Sequence, residues 1–84
     1  MMTLSAIVTH RCTEYRITDD ISVWMIETER NFDYYIEPKG YEMRFSFAIP
    51  KKANKKTPTF NYEGLCGLYW DGYFDELITE ITEE

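Results

Sequence analysis

The side chains equipped to do more than fold fall into three groups. The first is His10, Cys12 and Cys66. Together they offer three soft metal ligands, whereas a structural zinc site takes four, usually with a paired C-x-x-C knuckle. The spacing therefore predicts two reduced, packed thiols and no metal. His10 and Cys12, two apart on a strand, would share a face as a base and a nucleophile must. No orienting third group accompanies them. The second group is carboxylates: Asp19-Asp20, Glu27 with Glu29, and Asp33. Two carboxyls cleave a glycoside only when set across a groove, and 84 residues leave scant room for one. The chain has no H-E-x-x-H, no G-x-S-x-G and no glycine-rich phosphate loop. The reading is a non-enzymatic protein without a cofactor.

The third group is charge gathered into segments. Lys51, Lys52, Lys55 and Lys56 lie beyond Pro50 in a stretch with no large apolar residue. Such a stretch must sit in water. Its lysines are candidate phosphate contacts, with a Tyr or Phe nearby to stack bases. Near the C-terminus, Asp71, Asp75, Glu76, Glu80, Glu83 and Glu84 follow and flank Tyr69 and Tyr73. Glu83 and Glu84 would end a helix where negative charge opposes the dipole. Helix stability does not place them there. Acidic groups beside tyrosines suit a protein-binding surface, because rigid rings supply contact area and charge speeds encounter. These eight residues are the candidate partner-binding set.

The elements that must carry these groups are legible from hydrophobic period. Residues 32–49 read as a β-hairpin. Tyr41, Met43, Phe45, Phe47 and Ile49 alternate with Glu42, Arg44, Ser46 and Ala48, the period of a strand with one buried face. Glu37-Pro38-Lys39-Gly40 is the expected turn, closed by Gly40 in a three-residue loop with a bulge. Residues 3–9 are β-prone and lead into 13–18, as one bent strand or two short ones. Residues 21–28 are the most apolar stretch, an interior strand with both faces covered. Short links between these runs predict an antiparallel meander. Residues 60–72 hold Gly64, Gly67 and Gly72. At about 1 kcal/mol each relative to alanine, these argue for a connection and a helix only from about Asp71 as N-cap. In that helix Phe74, Leu77, Ile78 and Ile81 form the apolar stripe. It should dock on the face of Met43, Phe45 and Phe47. Trp24 and Trp70 are expected in the core.

The predicted class is α+β: an antiparallel sheet of about four strands in meander order, with one C-terminal amphipathic helix packed on one face. Residues 1–84 form a single domain. A chain this short buries only about 60–65% of its unfolded surface, so its margin of stability is small.

The formal net charge is −6, and it is unevenly spread. Residues 1–56 hold nine basic side chains against eight acids, and residues 57–84 hold seven acids and no Lys or Arg. The field is polarised toward the C-terminus. The first eight residues lack a basic segment followed by a long apolar one. No run is long enough to span a membrane. Both point to a cytoplasmic protein.

In size, charge and aromatic content the chain is similar to the small acidic inhibitors that phages direct against host defences, anti-CRISPR proteins among them, and to toxin-immunity proteins. The similarity includes no residue pattern, so it implies no site residue. The expected function is a non-enzymatic binder that blocks a basic surface of a protein partner. The alternatives are a small nucleic-acid-binding module working through Lys51, Lys52, Lys55 and Lys56, and a subunit of a larger complex.

Overall fold

Strand-forming apolar runs separated by short polar links dominate residues 11–50, and they form a sheet. The computed structural model describes residues 11–51 and 60–83. Four strands, β1 (Arg11–Arg16), β2 (Ile21–Glu27), β3 (Asn31–Pro38) and β4 (Arg44–Pro50), lie in the order β1-β2-β3-β4. Every neighbouring pair is antiparallel, so the expected meander is the observed one. The strand expected over residues 3–9, His10, the lysines at 52, 55 and 56, and Glu84 lie outside the described residues.

Thr18 makes the first turn. Its Oγ1 accepts the N–H groups of Asp20 and Ile21, each at 3.1 Å. The threonine hydroxyl, not the carboxylates of Asp19 and Asp20, makes these bonds. Between β2 and β3, Thr28 plays the same part, its hydroxyl accepting from Asn31 N–H at 2.9 Å. The β3–β4 connection needs a positive φ, which Gly40 supplies at 87°, as expected. The loop is longer than the three residues read from the sequence. Pro38 still belongs to β3, and Tyr41 N–H closes the turn on Pro38 C=O at 3.0 Å. Tyr41 and Met43 fall outside β4 and are exposed.

One irregularity reorganises the sheet. Tyr34 pairs with Phe47 but Tyr35 pairs with Phe45, so Ser46 is an extra residue in β4. A bulge of this kind reverses the facing of every residue beyond it. Phe47 stacks on the fully buried Tyr34, centroids 4.6 Å apart. Phe45 meets Tyr35 edge-on at 5.6 Å on the opposite face and is 50% exposed. The expectation that Phe45 shares a buried face with Phe47 is therefore corrected. Arg44 takes the helix-facing position instead, lining a cleft with Ile81.

The chain then forms two helices where one was expected: α1 (Tyr62–Trp70) and α2 (Asp75–Thr82). Residues 62–70 are helical despite Gly64 and Gly67. Asn61 caps the start, its side chain accepting from Gly64 N–H at 2.8 Å. Leu65 is fully buried, and Cys66, Leu68 and Tyr69 pack against the core. Burying Leu65 is worth about 1.5–3 kcal/mol, and with the packing of Cys66, Leu68 and Tyr69 it offsets the roughly 2 kcal/mol that the two glycines cost. Asp71, expected as an N-cap, is the C-cap of α1. Gly72, at φ 88°, ends the helix. Gly72 N–H bonds to Tyr69 C=O at 3.0 Å and Tyr73 N–H to Leu68 C=O at 2.9 Å, the paired bonds of a Schellman stop.

Both helices cover one face of the sheet. The core between the layers is Ile17, Ile21, Val23, Tyr34, Ile36, Leu65, Phe74 and Ile81. Tyr34 is its hinge pin. Its hydroxyl accepts Phe60 N–H at 3.1 Å, and Phe60 meets its ring edge-on at 6.1 Å. The molecule measures 35 × 33 × 19 Å, the thickness of one sheet and one layer of helix. Among the described residues no element covers the other face, so β2 is interior in strand order but covered on one side only.

Candidate functional site

The acidic C-terminal residues gather on the outer side of the helical layer. In α2 the core side carries Phe74, Leu77, Ile78 and Ile81. Asp75, Glu76, Glu80 and Glu83 are exposed, as the helical period predicts. Asp75 and Glu76 occupy the first turn, where negative charge suits the dipole. Glu83 is the C-cap, and the last turn holds no basic residue. Asp71 is exposed at the junction of the helices.

The rings beside this ridge divide. Tyr73 is 53% exposed, yet its ring contacts Phe47 at 5.7 Å and Phe74 at 5.2 Å. It is anchored at its base and open at its outer edge. Tyr69 is half-buried and packs against the core. Trp70, expected in the core, is 73% exposed and lies edge-on to Tyr69 at 5.0 Å. It is the residue that sequence reasoning missed on this surface. A signal existed: Trp70 stands at the last turn before Asp71-Gly72, and Gly72 releases the chain toward Phe74, which takes the buried position. Tyr62 is exposed on the same helix. Its hydroxyl pKa is raised, mainly through a hydrogen-bonding contact with Cys66 one turn on.

Lys51, the only one of the four candidate lysines among the described residues, is engaged by the sheet. Its ammonium donates to Glu27 Oε2 at 2.7 Å and to Thr28 C=O at 2.9 Å. It also sits 4.8 Å from the Phe32 ring centroid, a cation–π contact. The lysine holds the Glu27 carboxyl below its usual pKa, mainly through that hydrogen bond. Arg11 adds a longer ion pair to Glu27 at 3.9 Å.

The open face of the sheet carries a second surface that sequence reasoning missed. In register across the four strands stand Glu14, Trp24, Tyr35 and Phe45. The row beside it holds Arg16, Ser22 and Glu37, and Asp33 lies two residues from Tyr35 on the other side. Trp24 Nε1 donates to Glu37 Oε1 at 2.7 Å. Ser22 Oγ donates to Glu14 Oε2 at 2.8 Å, and Arg16 lies 3.9 Å from the same oxygen. At the turn end a cleft of about 240 Å³ is lined by four carboxylates, Glu14, Asp19, Asp20 and Glu37, against Arg16 and Lys39.

Cys12 is exposed at the margin of this open face, and Cys66 lies in α1. Both are free thiols. Among the described residues no group of three His, Cys, Asp or Glu side chains could hold a metal ion, and no helix is long and apolar enough to cross a membrane. No family model, curated protein or solved structure matches the chain.

Proposed function

We propose that this is a small acidic, non-enzymatic protein-binding domain that blocks a basic surface of a partner protein through its helical layer. The observation that carries the reading is the pairing of charge and rings there. Residues 60–83 contain no Lys or Arg, and Asp71, Asp75, Glu76, Glu80 and Glu83 are all exposed on the same helical segment as the exposed Trp70 and Tyr73. Exposed tryptophan and tyrosine are the side chains that most often anchor interfaces. A one-signed field around them draws an oppositely charged partner and speeds its arrival. An anti-defence or toxin-immunity role is the form of this reading that size and charge favour. The nucleic-acid alternative is weaker, because Lys51 is already bound to Glu27.

The test is binding kinetics against a partner recovered by affinity capture, at two salt concentrations. Changing Glu76, Glu80 and Glu83 to Gln slows association, and the slowing shrinks at high salt because exposed charges are screened over roughly 8–10 Å. Truncating Trp70 or Tyr73 speeds dissociation. An association rate indifferent to both the substitutions and the salt would remove the ridge from function.

A further inference from the structure

The helical layer accounts for one side of this molecule, and the other side has its own chemistry. Trp24, Tyr35 and Phe45 lie side by side on three adjacent strands, spaced by roughly 4.8 Å per strand. They form a row of three rings about 10 Å across, with Tyr35 and Phe45 edge-on to each other. Its outer member, Phe45, is 50% exposed. Such a row on a sheet suits three occupants: stacked nucleobases, a second copy of the chain, or a cationic segment of another protein.

Charge separates them. Glu14 ends the row, and Glu37 and Asp33 stand on either side of Tyr35. Two cations already face these carboxylates, Arg16 at 3.9 Å from Glu14 and Lys39 in the cleft that Glu14 and Glu37 line with Asp19 and Asp20, and the acids outnumber them. A nucleic acid would bring its phosphates against three carboxylates. A second copy would set those carboxylates against their own kind. Only a cation is complementary. Two of the carboxylates are held in place, Glu37 by the Trp24 indole and Glu14 by the Ser22 hydroxyl, so little ordering is needed on binding. A ring next to a carboxylate matches a planar guanidinium, which stacks on one ring face and pairs bidentately with the acid. An ammonium is a point charge and does the first less well.

We propose that the open sheet face is a second docking surface, which takes an arginine-bearing segment of a partner protein across Trp24, Tyr35 and Phe45 with Glu14, Glu37 and Asp33 as its counter-charges. The surface is separate from the helical ridge and does not depend on it.

The test uses the full chain carrying Trp70→Phe, which leaves Trp24 as the sole tryptophan reporter. Three probes are titrated: a short arginine-rich peptide, its lysine counterpart of equal length and charge, and a single-stranded oligonucleotide. The arginine peptide quenches or shifts Trp24 emission and binds more tightly than the lysine peptide. Phe45→Ala weakens it by roughly two- to thirty-fold, the range of a cation–π contact. Glu37→Gln weakens it as well. Glu76→Gln with Glu80→Gln leaves Trp24 responding with unchanged affinity, which separates this surface from the ridge. Circular dichroism of Phe45→Ala and Glu37→Gln guards against misfolding, and Asp33→Asn gives a third variant if either fails. Equal affinity for the two peptides, unaffected by Phe45→Ala, would mean bulk attraction and overturn the proposal. So would preferential binding of the oligonucleotide, or self-association that buries Trp24. A Trp24 wholly inaccessible to acrylamide in the unliganded chain would show the face already covered and would overturn it too.

Discussion

Tyr34 and Phe45 show how much rests on single side chains. The Tyr34 hydroxyl is fully buried and accepts the Phe60 N–H, so Tyr34→Phe should leave that donor unpaired. The expected loss is about 1–2 kcal/mol in denaturant melts. Burial raises the Tyr34 pKa above its ordinary value of 10.0. The phenol is thus favoured in the folded state. Its contribution is fully present below pH 10 and is lost as pH climbs through the raised folded value. The phenylalanine variant should lose less stability over that alkaline range, which melts from pH 8 to 11 check. Glu27 has the opposite sign. Lys51 lowers its pKa from 4.5, so its contribution is present above about that pH and vanishes as pH falls through the lowered value. Lys51→Gln should flatten acid unfolding in that window. Phe47→Ala should cost about 3 kcal/mol and Phe45→Ala no more than about 1 kcal/mol, because only Phe47 stacks on Tyr34 within the core. Equal losses would mean that the bulge at Ser46 does not turn the strand over.

Among the elements, α1 is held by its surroundings more than by its own sequence. Gly67 faces open space, with nothing within 4 Å of where a Cβ would stand. Gly67→Ala should raise stability by about 0.5–1 kcal/mol, the difference in helix propensity. Gly64→Ala should give no such gain, since its Cβ would meet Phe60 Cδ1 at 3.0 Å. Phe60 is locked edge-on against Tyr34 and Phe47, so it has little room to move aside. Gly72→Ala should destabilise, because φ 88° strains any residue with a Cβ. Thermal melts of the three variants rank these effects. In α2, Glu83→Gln should stabilise by roughly 0.3–1 kcal/mol by relieving the clash with the helix dipole. A functional need for that charge would explain why the chain tolerates it.

At the scale of the whole molecule, the two layers formed by the described residues leave one sheet face open, and acidity is concentrated in the C-terminal third of the chain. Seven acids and no bases lie in residues 57–84, and their mutual repulsion opposes compaction. Added salt should therefore raise the melting temperature, and the rise should shrink once Glu76, Glu80 and Glu83 are changed to Gln. Scanning calorimetry across ionic strength checks this. The same polarity gives the protein two different outward surfaces. The helical ridge is acidic with isolated rings, and the open sheet carries a row of three rings with Glu14, Glu37 and Asp33 around it.

The sequence by itself determined that four antiparallel strands follow one another in meander order, the positive φ at Gly40 and the acidic outer side of α2. Each follows from local period or from the backbone demands of one residue, which neighbours along the chain already express. Tertiary structure decided the rest. Alternation from Tyr41 to Ile49 runs unbroken, so nothing in it marks the extra residue at Ser46. The bulge exists only in pairing with β3, and it moves Phe45 to the open face. Propensity argued against a helix over residues 62–70, but burial of Leu65 with the packing of Cys66, Leu68 and Tyr69 offsets two glycines. Of the eight residues read as a partner site, Tyr73 and the exposed acids of 71–83 share the outer surface, and Tyr69 faces inward. Trp70 and the Trp24–Tyr35–Phe45 row could not be placed by composition. Whether a ring is core or surface depends on which layer covers it, and that is settled only when the helices choose a face.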